Sequence, residues 1–240
     1  MIATAGKDAM VLVLLMMLAV DCYAEPWEER RMTMISEVRA DMLNYVGQSL
    51  APSVEAALAS VPRHEFVPMS LADRAYDNRP LPIGAEQTIS QPFIVALMTQ
   101  QLGVGSDARV LEVGTGSGYQ AAVLAEICDE VYSIEIIGSL AQDALMRLAR
   151  LGYHNVRVRH GDGMLGWPEA APFDAIIVTA AGLEIPSALL DQLRPGGRLV
   201  MPVGAAFDVQ QLKVIEKAAD GLTEKDVLAV RFVPVTRNVR

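Results

Sequence analysis

The chain has 240 residues, 52% of them hydrophobic and only 5% aromatic, with a formal net charge of −9 and a pI near 4.9. That length suits one α/β domain with a fully buried sheet. The acidic balance disfavours nucleic acid, because a polyanion is repelled by most of the surface.

Met10 to Val20 is an unbroken apolar run (MVLVLLMMLAV). It is too short to span a bilayer as a helix and fits the apolar stretch of a signal peptide, with cleavage after Ala24. The positive flank such a peptide carries is weak, since Lys7 is offset by Asp8. Residues 1–26 are read as a signal-like or disordered extension. Residues 27–240 are read as one domain, with 27–92 a helical and loop region that covers the site and 93–240 the α/β core. The two cysteines, Cys22 and Cys128, lack a Cys-x-x-Cys partner or a histidine at ligand spacing, so no metal site is expected.

From Trp27 to Leu50, Met34, Val38, Met42, Tyr45 and Val46 recur at helical spacing. A short helix is expected over Ser53–Ser60 with Ser53 as its cap. Residues 62–92 are proline-rich and read as irregular, the composition of a linker or a functional loop. Helical periodicity returns over Pro92–Leu102, with Pro92 at the first turn. The chain then alternates: strand Arg109–Val113, helix Tyr119–Ile127, strand Glu130–Ile136, helix Ser139–Leu151, strand Val156–His160. Phe173–Thr179 is a fully apolar strand of the kind buried on both faces. A helix over Ile185–Gln192 and a turn at Pro195-Gly196-Gly197 precede the strand Arg198–Pro202. This order predicts a doubly wound, mainly parallel sheet with right-handed crossovers. Strands at Gln211–Glu216 and Val227–Val235, joined by the turn-like Ala219-Asp220-Gly221, would close it with an antiparallel edge hairpin.

The first strand of that sheet runs into Glu112-Val113-Gly114-Thr115-Gly116-Ser117-Gly118. Glycines here let the backbone turn tightly and let a ligand approach the following helix. The dinucleotide fingerprint needs Gly-x-Gly-x-x-Gly, and its sixth position is Tyr119, so the spacing disfavours NAD. Glu/Asp-x-Gly-x-Gly-x-Gly is instead the pattern of class I S-adenosylmethionine-dependent methyltransferases, whose Rossmann-like fold agrees with the predicted topology. Glu135, at the carboxyl end of the second strand, stands where an acidic side chain accepts hydrogen bonds from both ribose hydroxyls. Asp162, in Gly161-Asp162-Gly163 after the third strand, stands where it could accept from an adenine amine. Three strand ends then form one crevice. Thr179-Ala180-Ala181 after the fourth strand lacks the Asn/Asp-Pro-Pro-Tyr/Phe motif of amino-methylating nucleic acid enzymes, and no acid and amide set suits a metal-dependent catechol enzyme.

The irregular region narrows the reading. Val61-Pro62-Arg63-His64-Glu65-Phe66-Val67-Pro68, Tyr76-Asp77-Asn78, Leu81-Pro82-Ile83-Gly84 and Gln87-Thr88-Ile89-Ser90-Gln91-Pro92 resemble protein-L-isoaspartate O-methyltransferases. So do Arg159 to Gly163, Pro172 to Ala181 and the closing Val230-Arg231-Phe232-Val233-Pro234, and the resemblance extends over about residues 30–236. It implies S-adenosyl-L-methionine as cofactor and isoaspartyl residues of damaged proteins and peptides as methyl acceptors, with no stable membrane association. It further implies Ser90 as the active-site residue, with cofactor contacts from Glu112, Gly114, Thr115, Gly116, Ser117, Gly118, Glu135, Ile136, Asp162, Gly163 and Thr236. One departure stands out: bacterial members commonly carry glycine before the Gln-Thr-Ile-Ser run, where this chain has Glu86.

A carboxylate acceptor is already ionised at neutral pH, so no general base is required. The expected chemistry reduces to alignment of a carboxylate oxygen with the methyl carbon. Ser90 is then a positioning hydrogen-bond donor, and a helix cap ahead of Pro92 is its structural alternative. His64, His154 and His160 are scattered and read as non-catalytic. A class I enzyme for a small-molecule acceptor, or a cofactor-binding protein without turnover, are the competing functions. The methyl donor is made in the cytoplasm, which is the expected compartment; the signal-like residues 1–24 make the periplasm the alternative.

Overall fold

The computed structural model describes residues 27–218 and 220–236; the apolar run, Cys22 and the cleavage position after Ala24 lie outside them. A helix over residues 27–41 (α1) buries Met34, Ile35 and Val38, then widens into a π-helical turn, Met42–Val46. Gly47, at φ 70°, ends it before the expected limit at Leu50. The next helix, α2, spans Pro52–Ser60 with Ala51 as N-cap. Ser53 is therefore inside the helix and not its cap, because a proline with fixed φ and no N–H to satisfy fits the first helical position.

The proline-rich stretch is more ordered than its composition implies. Two 3-10 turns, Arg63–Phe66 and Met69–Arg74, lead into a separate antiparallel hairpin of β1 (Leu81–Gly84) and β2 (Gln87–Ile89). Helix α3 follows over Pro92–Leu102 and stops at Gly103, φ 65°.

The remaining chain builds a seven-stranded sheet. Its strands are β3 (Arg109–Val113), β4 (Glu130–Glu135), β5 (Val156–His160), β6 (Phe173–Val178), β7 (Leu193–Val203), β8 (Gln210–Ala218) and β9 (Gly221–Val230). They lie in the order β5-β4-β3-β6-β7-β8-β9. The first five are parallel, with Val110 opposite both Val131 and Ala175; β8 and β9 complete an antiparallel edge. Helices α4 (Tyr119–Ala125), α5 (Gly138–Arg150) and α6 (Ser187–Gln192) connect the parallel strands. The Pro195-Gly196-Gly197 turn is an excursion within β7: Phe173 pairs with Leu193 and Ala175 with Arg198. The last expected strand, Val227–Val235, is corrected to Gly221–Val230, after which the chain leaves the sheet and Pro234 bridges to Ala181.

Alternation along the strands explains why both faces are covered. Val110, Ala175, Ile177 and Val200 pack in one core with α1 to α4, while Leu111, Ile176, Val178, Leu199 and Met201 pack in the other with Leu189 of α6. β3, β4, β6 and β7 carry apolar residues on both sides, the requirement of a buried parallel sheet, whereas the edge strand β5 turns Val156 and Val158 to one core and Arg157 and Arg159 away from it. All five end at the same edge, where an open α/β sheet presents its ligand crevice. No helix among the described residues is long and apolar enough to cross a membrane.

Candidate active site

β3 ends at Val113, and the glycine-rich loop turns from it into α4. The Gly114 N–H donates to the Ile134 carbonyl at 2.8 Å, hooking the loop onto β4. Gly114 has φ 99°, and a Cβ there would stand 2.4 Å from Thr179 Oγ1, so only glycine fits. Gly118 serves a different purpose. It is the N-cap of α4 at φ 88°, and a Cβ on it would press on Leu148 at 3.3 Å, so its absence lets the loop pack on α5.

Glu135, the last residue of β4, is 5% exposed. Its Oε2 accepts from Gly116 N–H at 2.8 Å and its Oε1 from Ile137 N–H at 2.9 Å. One carboxylate thereby fixes two backbone segments of the crevice, and an ionised carboxylate has lone pairs left for ligand hydroxyls. Asp162 follows β5; its Oδ1 accepts from Met164 N–H at 2.9 Å, which sets the carboxyl at the crevice wall. Gly114, Gly116, Glu135, Ile136, Asp162, Gly163 and Thr236 line this single crevice together. Thr115 and Ser117 line a smaller adjoining cavity that also reaches Ser90.

Glu112 lies under the loop and away from the crevice. It is fully buried opposite Ser133 on β4, and its Oε2 accepts from the Ser133 hydroxyl. That hydroxyl is in turn 2.5 Å from Thr115 Oγ1. Glu112 Oε1 has no partner among the described residues, and burial pushes the carboxyl up to about 8.

A second cleft, of about 490 Å³, opens beside the crevice and is lined by Ser90, Asp41, Tyr45, Phe93 and the end of β9. Thr88 and Thr179 line both spaces, so the two communicate across the hairpin strand β2 and the end of β6. The N-cap of α3 is Gln91, with no side-chain cap bond. The capping alternative for Ser90 is thus set aside, and Ser90 lines both the cleft and the smaller cavity. Thr88 and Thr179 escaped sequence reasoning. Thr179 Oγ1 donates to the Gly114 carbonyl at 2.7 Å, a tie between loop and β6 that no spacing rule signals.

The histidines sit elsewhere. His64 stacks on Trp27 at 4.4 Å with its Nδ1 2.8 Å from the Tyr76 hydroxyl, and burial lowers its pKa. His160 Nε2 lies 3.1 Å from the Ile136 carbonyl, and His154 is exposed.

The geometry fits S-adenosyl-L-methionine. Gly114 and Gly116 present bare backbone to the crevice, and acidic groups stand at the ends of β4 and β5, where a nucleoside's hydroxyls and amine need acceptors.

Comparison with known proteins agrees. Residues 35–240 match the family described as protein-L-isoaspartate(D-aspartate) O-methyltransferase. The chain is 56% identical over 223 residues to protein-L-isoaspartate O-methyltransferase 2 of Syntrophobacter fumaroxidans, covering 91% of this chain and 90% of that one. It is 55% identical over 213 residues to protein-L-isoaspartate O-methyltransferase 1 of Nitrosospira multiformis, covering 88% and 89%. A solved protein-L-isoaspartate O-methyltransferase superposes with a TM-score of 0.76 at 29% identity, over 87% of this chain and 67% of that one. A Plasmodium falciparum structure, described as a β-aspartate methyltransferase in complex with S-adenosyl-L-homocysteine, shares the fold with a TM-score of 0.73 at 23% identity, over 86% and 98%. The chain belongs to the protein-L-isoaspartate(D-aspartate) O-methyltransferase family.

Proposed function

We propose that this chain transfers the methyl group of S-adenosyl-L-methionine to the carboxylate of L-isoaspartyl residues in damaged proteins and peptides, initiating their repair. The observation that carries the reading is the junction of crevice and cleft at Thr88 and Thr179, where a donor in the crevice and an acceptor in the cleft would meet.

Gly114, Gly116, Glu135, Ile136, Asp162, Gly163 and Thr236 would hold the cofactor, with Thr115 and Ser117 supporting the loop from the adjoining cavity. Bound there, S-adenosyl-L-methionine supplies an electrophilic methyl carbon on a sulfonium, which leaves as a neutral thioether. The acceptor carboxylate is ionised at neutral pH, so this chain needs no base to remove a proton. Transfer of that methyl to a carboxylate oxygen would give a methyl ester and leave the cofactor's sulfur as the neutral thioether. The chain's task is orientation and exclusion of water. Ser90 donates a hydrogen bond to the acceptor on this reading, and the cleft walls Tyr45 and Phe93 enclose its backbone.

We read residues 27–92 as the segment that covers the site, because α1, its π-helical turn and the β1–β2 hairpin supply Asp41, Tyr45 and Thr88 to the cleft. The net charge of −9 supports protein rather than nucleic acid as partner. We place the activity in the cytoplasm, where the donor is made.

The test is transfer of tritiated methyl groups to paired synthetic peptides, one with isoaspartate and one with normal aspartate. Base-labile label in the isoaspartyl peptide alone is the expected result. No label in either peptide with cofactor binding intact would overturn the acceptor assignment.

A further inference from the structure

Arg63 is fully buried in the 3-10 turn Arg63–Phe66, and no carboxylate pairs with it among the described residues. Its Nε donates to the Ala75 carbonyl and its Nη2 to the Ser90 carbonyl, both at 2.7 Å. The guanidinium lies over the Tyr119 ring at 4.6 Å, and Nη1 is buried without a hydrogen-bond partner among the described residues. Tyr119 opens α4 directly after the glycine-rich loop and lines the same small cavity as Ser90. One side chain thus joins the acceptor segment to the start of the cofactor-side helix.

Asn78 holds the other end of that segment. Its Oδ1 accepts from Phe93 N–H at 3.1 Å, and its Nδ2 donates to Asp41 Oδ2 at 2.8 Å, which also fixes the orientation of the amide. Ser90 to Phe93 is therefore gripped by its first carbonyl and its last N–H. Asp41 is itself a wall of the cleft.

Burial of a guanidinium without a counter-ion costs free energy that a well-packed apolar side chain of similar length would not incur. The energetics alone favour methionine at such a position. What arginine adds is a rigid planar fork whose separate N–H groups reach two carbonyls while its face stacks on an aromatic ring, a combination that lysine cannot reproduce.

We propose that Arg63 and Asn78 are positioning residues for methyl transfer, holding the backbone on either side of Ser90 so that its hydroxyl keeps a fixed place relative to the glycine-rich loop. This rests on the reading of Ser90 as an acceptor-side group. Neither residue touches the reacting atoms; both act through Ser90.

The test compares wild type, R63K, R63M and N78A in full-length protein. S-adenosyl-L-homocysteine titration by calorimetry gives the affinity and the number of competent sites. Methyl transfer to the isoaspartyl peptide is then expressed per competent site. The expected result is a kcat per site at least ten-fold lower in R63M and N78A, with R63K between these and wild type. The product affinity should stay within two-fold. Losses confined to the number of competent sites would show a purely structural role and overturn the inference. A fall in product affinity that matches the fall in kcat would overturn it too, by placing the effect on the cofactor side. If the Arg63 variants do not fold, N78A decides by the same criteria. Absence of transfer by wild type would overturn the acceptor reading and this inference with it, whereas normal transfer by wild type and variants alike overturns this inference alone.

Discussion

The Glu135 carboxylate and the Gly116 N–H meet at 2.8 Å across the end of the parallel sheet, and the second oxygen of the same carboxylate accepts from Ile137 N–H at 2.9 Å. Both oxygens are committed to backbone donors. A glutamine in place of Glu135 would turn an NH₂ toward one of those N–H groups and leave it unpaired. A charge-assisted hydrogen bond of this kind contributes about 1.5–3 kcal/mol. E135Q is expected to weaken S-adenosyl-L-homocysteine binding by about ten- to a hundred-fold, as read by calorimetry. Unchanged affinity would show that the carboxylate neither shapes nor contacts the ligand site.

Ser90 is exposed to the cleft because Gln91, one residue later, takes the cap position of α3. Loss of its hydroxyl should leave the crevice intact and remove one donor to the acceptor carboxylate. S90A is expected to retain product affinity while kcat/KM for the isoaspartyl peptide falls by about ten- to a hundred-fold, the worth of one hydrogen bond to a charged group. Full turnover with unchanged acceptor KM would remove the positioning role.

The parallel half of the sheet was legible because β3, β4 and β6 are short, largely apolar runs, and burial on both faces demands that composition. β9 was placed too late in the chain because Leu222 to Asp226 carries three charges in a row and reads as a loop. It is an edge strand exposed along most of its length, so no apolar face is required of it. The hairpin β1–β2 was missed for another reason: strands of four and three residues, one with a proline, are too short for any period to show. The gathering of Glu135, Asp162, Gly114, Gly116 and Gly163 along one crevice was readable from their places at strand ends. The place of Thr88 and Thr179 was not, because they line a junction of two cavities that only the folded chain brings together.

Glu112 gives a pH signature. Burial raises its carboxyl from the ordinary 4.5 to about 8, the nearby Glu135 adds to the rise, and the Ser133 hydroxyl opposes it. A carboxyl whose folded-state pKa lies above its unfolded value holds a proton that the unfolded chain releases. Stability from this group is therefore lost as pH climbs through the window from about 4.5 to about 8, by an amount on the order of a few kcal/mol. E112Q carries no such proton. The thermal midpoint of wild type should fall relative to that of E112Q between pH 5 and pH 8.5, and parallel curves for the two proteins would show that Glu112 is ionised throughout.

The turn of the β1–β2 hairpin carries strain that a two-residue change should relieve. Gly84 pairs with Gln87, so Ala85 and Glu86 are the only residues between the strands, and both sit at positive φ, 49° and 60°. This is the geometry of a primed hairpin turn, for which Asn-Gly is the favoured pair, and each side chain held there costs about 1–2 kcal/mol. The hairpin places Gln87 and Thr88 on the crevice wall, and Ile83 Cδ1 lies only 3.3 Å from where a Cβ on Gly116 would stand, so its closure bears directly on the cofactor loop. A85N/E86G is expected to stabilise the closed hairpin by about 1–2 kcal/mol, slowing hydrogen exchange at the Gln87 and Ile89 amides by about five- to thirty-fold. The same variant should slow dissociation of S-adenosyl-L-homocysteine, because the ligand leaves past a cover that opens less often. Slower exchange without slower dissociation would separate the hairpin's stability from ligand release, and unchanged exchange would mean that the turn stores no strain.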